Sequence, residues 1–141
     1  MFFRECFHLQ PEQILIPAGS EKFRGIVRTH FSQAVGAVLV FDITDKKSFQ
    51  DCQYWVDELR HNCQGEPKVL LIGNKLDLVT ESNASRAVSY EEARLFAAKH
   101  NFLYFESSAL IHKNVKEAFE TLVLRPLSRI AERFRVDQEP E

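Results

Sequence analysis

Apolar residues along the chain gather into three short, nearly unbroken runs, Val35 to Ile43, Lys68 to Gly73 and Phe102 to Glu106. The stretches between them repeat their apolar positions every three or four residues. Unbroken runs of this length predict strands covered on both faces, and their alternation with amphipathic stretches predicts a parallel sheet with helices packed on it. Phe49, Cys52, Trp55, Val56 and Leu59 share one helical stripe, predicting a helix from about Ser48 to Cys63 with Trp55 in the core. A second helix opens at Ser89-Tyr90-Glu91-Glu92, a capping box in which Ser and Glu each satisfy an unpaired backbone donor, and would bury Ala93, Phe96 and Ala97. The third opens at Asn114 and aligns Val115, Ala118, Phe119, Leu122 and Val123. Pro126 should kink or end it, because its ring clashes with the preceding turn and it has no N–H to donate. Thr80 to Arg86 reads as a polar loop. Ahead of the first run, Phe2 to Leu9 and Gln13 to Ile16 predict two short strands around the Gln10-Pro11-Glu12 turn, followed by a helix in the Phe23 to Phe31 region.

Composition narrows the classes. With 141 residues, the chain suits one domain, residues 1–135, with a polar tail at 136–141. Hydrophobic residues make up 45% and charged residues 27%, which excludes overall disorder. Eighteen Lys and Arg against twenty Asp and Glu create no field that would attract nucleic acid. Cys6, Cys52 and Cys63 form neither a disulfide framework nor a zinc pattern, so a reducing, cytoplasmic setting is expected. Arg4 and Glu5 interrupt what would be the core of a secretory signal. The longest apolar run, Ala34 to Phe41, falls well short of the roughly 20 residues a bilayer span needs. No Cys lies after position 63 to carry a prenyl group, so no membrane anchor of its own is expected. His8, His30, His61, His100 and His112 are scattered and read as surface or packing residues, with no metal site among them.

Candidate chemistry sits at the ends of two predicted strands. Gly73-Asn74-Lys75-Leu76-Asp77 places an Asn-Lys-x-Asp element where a buried strand emerges at its carboxyl end, the usual ligand position in open α/β sheets. A carboxylate at Asp77 can accept hydrogen bonds from the ring N1 and the exocyclic amine of guanine, a pair that adenine does not offer. Asn74 can tie the loop and reach the base, and the methylene stem of Lys75 can cover a ring face. After the next strand, Glu106-Ser107-Ser108-Ala109-Leu110 could present backbone N–H groups around Ala109 to the guanine carbonyl. The candidate guanine-binding residues are therefore Asn74, Lys75, Asp77, Ser108, Ala109 and Leu110.

These segments, together with Ala18-Gly19-Ser20-Glu21-Lys22-Phe23-Arg24 and Ala34 to Thr44, resemble the Rab branch of the Ras-like small GTPases from about Ile14 to Ile130. The run Leu39-Val40-Phe41-Asp42-Ile43-Thr44 resembles Rabs among the small GTPases, and Ser108-Ala109-Leu110 resembles the recycling-endosome subgroup. The resemblance implies a three-layer α/β GTPase fold, a role in vesicle traffic, GTP or GDP and Mg²⁺ as ligands, and Rab effectors or regulators as partners through Ala18 to Phe31. His30 and Phe31 stand where Rabs carry a Tyr pair; Phe31 and Phe23 suit an effector-facing patch and core packing equally.

The chain departs from the family in three places. It has no GxxxxGK[ST] loop to cradle phosphates, so it reads as N-terminally truncated, without the first strand, phosphate loop, first helix and first switch. Ile16 stands for the Asp that supports Mg²⁺, so that metal site is not retained. Ser20 stands for the Gln that orients the attacking water. No catalytic residue is assigned and hydrolysis by this chain is not expected. Two or three hydrogen bonds to the base supply roughly 3 to 6 kcal/mol before association entropy, which predicts about millimolar affinity or weaker. A nucleotide-independent adaptor or decoy for Rab partners, and a non-functional fragment, are the alternatives. In the family the absent strand lies beside Val35 to Ile43, so three outcomes stand open: the sheet closes in a new order, Phe2 to Leu9 fills in, or the fold is marginal with an exposed edge.

Overall fold

The computed structural model describes residues 4–7, 14–15, 36–63 and 65–122, the first two segments as backbone. Strands β1 (Arg4–Phe7), β2 (Ile14–Leu15), β3 (Gly36–Asp42), β4 (Lys68–Asn74) and β5 (Leu103–Glu106) form one sheet in the order β2-β1-β3-β4-β5. Between them run helices α1 (Lys46–Asn62), α2 (Leu76–Thr80) and α3 (Tyr90–His100). Residues 115–122 form a further helix, α4. The expected helix at Phe23 to Phe31, the altered switch segment at Ile16 to Glu21, Val123, Pro126 and the 136–141 tail lie outside the described residues.

The three apolar runs became β3, β4 and β5, which are parallel, as expected of strands with both faces covered. Alternate side chains point to opposite faces, so the sheet divides the core in two. On one face Ala37, Leu39, Phe41, Val69 and Leu71 pack against Phe49, Cys52, Val56 and Leu59 of α1 and Ala93 and Ala97 of α3. On the other, Val38, Leu70 and Ile72 meet Ala118 and Leu122 of α4. Helices thus lie on both faces of an α/β sheet. Trp55 is partly buried at the margin of the first cluster.

Local chemistry sets the helix ends. Asp45 caps α1 by accepting from the Lys47 amide at 3.0 Å, which starts this helix two residues before the predicted Ser48. Ser48 is buried instead, accepting from the Asp42 amide at 2.9 Å and donating to the Asp45 carbonyl at 2.7 Å, so strand end and helix start are tied together. Ser89 caps α3 by accepting from the Glu92 amide at 3.1 Å. The Glu92 carboxylate pairs with Lys46 across to α1. The short helix α2 was not legible as a periodic stretch, because five residues hold too little of one turn's pattern.

The segment inside Phe2 to Leu9 takes the place beside β3. Strand β1 pairs with β3 in antiparallel register from Arg4 with Leu39 to Phe7 with Gly36, and β2 pairs outside it. Of the three outcomes open to the sheet, it is the filling one that the structure adopts. A two-stranded hairpin can add only antiparallel to its own partner strand, so the sheet becomes mixed, with its parallel part confined to β3, β4 and β5.

Candidate functional site

The register of the parallel strands brings Asp42 opposite Asn74 and Gly73 opposite Glu106, which gathers the carboxyl ends of β3, β4 and β5 on one rim. Gly73 is needed there. A Cβ at this position would lie 2.8 Å from Ile43 Cγ2, 3.0 Å from Tyr104 Oη and 3.1 Å from Phe41 Cζ. Lys75 then turns the chain in the left-handed region, φ 67 and ψ 34, and α2 follows at once. This reversal swings Asp77 inward, where it is only 6% exposed.

Two loops meet through side chains. Ser108 Oγ donates to Asp77 Oδ1 at 2.6 Å, and Asn74 Oδ1 accepts from the Ala109 amide at 3.1 Å. Backbone bonds run beside them, from the Leu76 amide to the Ser107 carbonyl at 3.1 Å and from the Ser107 amide to the Gly73 carbonyl at 2.8 Å. The second loop is closed by a reciprocal bridge between Ser108 and Lys113, with both N···O distances 3.0 Å. Leu110 stands 77% exposed at its tip. All six expected residues are therefore at one place: Asn74, Asp77, Ser108 and Ala109 interlocked, with Lys75 and Leu110 at the margin.

Two expectations gain detail. The Ala109 amide, a candidate donor to a base carbonyl, is held by Asn74. The Lys75 ammonium lies 2.7 Å from Asp42 Oδ2, so its stem is anchored at the far end. Burial pushes the Asp42 carboxyl up, but hydrogen bonds from Lys75 and Thr44 outweigh this and leave it below the usual carboxylate range. The hydrogen bond to Asp42 holds the Lys75 ammonium above its ordinary value.

Sequence reasoning missed Asp42, Arg86 and Asn114 as supports of this rim. Asp42 Oδ1 accepts from the Thr44 amide at 2.8 Å and its hydroxyl at 2.6 Å, an Asx turn whose signal was the Asp-x-Thr spacing. Arg86 grips Glu106 through two bonds of 2.6 and 3.0 Å, and Tyr104 donates to the same carboxylate at 2.8 Å. Burial first, and then the Glu106 carboxylate, push the Tyr104 hydroxyl far above its ordinary pKa. Asn114, expected as a cap, uses its Nδ2 to donate to the Glu106 carbonyl at 2.8 Å. No local pattern announces the Arg86 and Asn114 contacts, which join separate elements.

The two interlocked loops gather an inward carboxylate and a short hydrogen-bonded turn at the carboxyl rim of the parallel strands, the usual ligand position in open α/β sheets. A family model described as "Ras family" matches residues 10–127, most of the chain. The chain belongs to the Ras family. Over 118 residues this Ras-family chain is 43% identical to "GTP-binding protein ypt3" of Schizosaccharomyces pombe, covering 84% of the chain and 53% of that protein. It is 39% identical over 125 residues to "Ras-related protein RABA1g" of Arabidopsis thaliana, with 89% and 55% covered. Identity to "Ras-related protein RGP2" of Oryza sativa is 39% over 111 residues, with 79% and 49% covered. These relatives put it in the Rab branch, and it spans about half the length of the curated relatives it matches.

Among the described residues, no group of three or more His, Cys, Asp or Glu side chains could hold a metal ion. No described helix is long and apolar enough to cross a membrane.

Proposed function

We propose that this chain is a Rab-like member of the small GTPase family serving vesicle traffic in the cytoplasm. It retains recognition of the guanine base and lacks hydrolysis and tight nucleotide binding as the 141 residues stand. The observation that carries this reading is the buried Asp77 carboxylate, fixed by Ser108 across the two loops at 2.6 Å. An acceptor held in this way selects guanine over adenine without ordering cost at the moment of binding. Charge stabilisation of a transferring phosphoryl group needs a phosphate loop and Mg²⁺, and the chain encodes neither a GxxxxGK[ST] segment nor, with Ile16 and Ser20, the family's Asp and Gln. The Ser108-Ala109-Leu110 turn supports a place in the recycling-endosome-like subgroup. Rab effectors or regulators would meet the Ala18 to Phe31 region.

One observation favours a second reading, a nucleotide-independent adaptor or decoy for Rab partners. Asn74 already satisfies the Ala109 amide and Ser108 already holds Asp77, so the loops keep their shape with no base between them.

Calorimetric titration with GDP and GTP in excess Mg²⁺ tests both. Affinity of about millimolar or weaker, with guanosine preferred over adenosine and the preference lost in Asp77→Ala, supports the first reading. Micromolar affinity or measurable turnover overturns the expected loss of phosphate binding. A cooperative melt with no guanine preference at all favours the adaptor, and absence of any cooperative melt favours a non-functional fragment.

A further inference from the structure

Helices α1 and α3 lie side by side and are tied at both ends. Lys46 pairs with Glu92 where they begin. Where they finish, Arg60 Nη2 lies 2.9 Å from Nδ1 of His100, the last residue of α3. Between the ties the contact is apolar, with Phe49 against Phe96 at 5.3 Å between ring centroids and Val56, Leu59 and Ala97 in the same core cluster. Beyond His100 the chain is held by backbone bonds from the Asn101 amide to the Ala98 carbonyl at 3.1 Å and from the Phe102 amide to the Ala97 carbonyl at 2.8 Å.

The histidine in the second tie fits its surroundings in one charge state only. A guanidinium has only donors, so Nδ1 must accept and the ring proton must sit on Nε2. Nε2 is buried with no partner among the described residues, and the ring packs against Phe96 and Phe102 at centroid distances of 4.6 and 5.4 Å. A second proton, on Nδ1, would set donor against donor at 2.9 Å and leave a more strongly polarised Nε2–H still without an acceptor. Burial first, then Arg60 of α1 and Lys99 of α3, disfavour the imidazolium, and Asp57 of α1 opposes them. The carbonyl end of α3 also opposes them.

We propose that His100 is an acid-operated latch: neutral, it fastens the end of α3 to α1, and once protonated it leaves Arg60 and frees the last turn of α3 together with the 101–102 link into β5. Beside the pair lies a cavity of about 410 Å³, bounded by α1, the 65–67 loop, the start of β4 and the end of α3. It gives the charged ring room to turn toward water, with Glu66 as the carboxylate and Lys68 as the further cation on its wall. The Lys46–Glu92 tie contains no histidine, so it holds while the other releases. The motion is a swing of one helix end, and the apolar contacts between the two ties stay closed.

Amide hydrogen exchange and imidazole ¹⁵N spectra of the whole chain, followed from about pH 7.5 down to about pH 5, test the latch. The neutral ring should show the Nε2–H tautomer. As the pH falls below 6.5, protection at the Asn101 and Phe102 amides should drop by up to about tenfold per pH unit after correction for intrinsic exchange, while the Val56 and Leu71 amides keep theirs. In the exposed variant Arg60→Gln the new amide oxygen accepts from a protonated Nδ1, so the ring should titrate nearer 6.5 and the two amides should stay protected. His100→Gln should remove the acid response. An Nδ1–H tautomer, a ring that titrates at or above 6.5, protection unchanged once the ring has titrated, or a loss shared equally by Val56 and Leu71 would each overturn the proposal. So would an undiminished acid response in either variant.

Discussion

At the scale of single residues, the two loops are joined by two side-chain bonds that no neighbour in sequence could supply, Ser108 to Asp77 and the Ala109 amide to Asn74. Ser108 gives its hydroxyl to a carboxylate that is almost wholly enclosed, and a hydrogen bond to a charged group is worth about 1.5–3 kcal/mol. Ser108→Ala should therefore lower unfolding free energy by about that amount in urea titrations, more than Ser89→Ala at the exposed start of α3, where about 1 kcal/mol is expected. His100 gives a pH signature. Burial, then the charges of Arg60 and Lys99, hold its pKa below the ordinary 6.5, while Asp57 opposes them. The unfolded chain thus takes up the proton first. Stability from the neutral ring is complete above pH 6.5 and falls as pH drops below that value. Urea midpoints should decline from neutral pH toward about pH 5, and His100→Gln should flatten the decline. The Cys52 thiol, pushed up to about 12 by burial and then by Asp51, should stay unreactive toward alkylating reagents in the folded state.

At the scale of elements, β4 matters most, because its last residues belong to the core and to the rim together. Gly73 leaves room where Ile43, Phe41 and Tyr104 converge. Gly73→Ala forces three neighbours from two strands and a loop to shift, an overpacking cost of about 1–3 kcal/mol. The same shift should displace Asn74 and Glu106, so the Ala109 amide should exchange faster with solvent in the variant, a loss readable by hydrogen exchange. Helix α1 illustrates the limits of periodicity. Its stripe of Phe49, Cys52, Val56 and Leu59 is buried as the spacing implies. Its first turn was set by Asp45 and by Ser48 bonding back to the strand, which periodicity does not encode. The box at Ser89 was half realised, since Glu92 found Lys46 on another helix.

At the scale of the whole molecule, the question is what pairs with β3 on the side away from β4. Strand β3 keeps partners on both sides because β1 lies antiparallel along it, and among the described strands the two-residue β2 takes the outer position. Short edge strands are poor templates for further pairing. A chain beginning at residue 10 would lose β1 and uncover one side of β3, so it should aggregate at lower concentrations than the 141-residue chain does. Light scattering against concentration checks this directly.

The apolar runs and helical stripes dictated three parallel strands, the helices over them and the placement of Asn-Lys-x-Asp and Ser-Ala-Leu at strand ends, because burial and backbone hydrogen bonding reward those local patterns wherever they occur. Membership of the Ras family was legible for the same reason: Asn-Lys-x-Asp and Ser-Ala-Leu are contiguous segments. The tertiary structure alone decided what fills the place beside β3, that Arg86 and Asn114 steady Glu106, that Lys75 reaches Asp42, and that His100 faces Arg60 from 40 positions away. Each of these is a contact between surfaces that meet only after the sheet has formed, and neither spacing nor propensity carries information about which distant partner will be there.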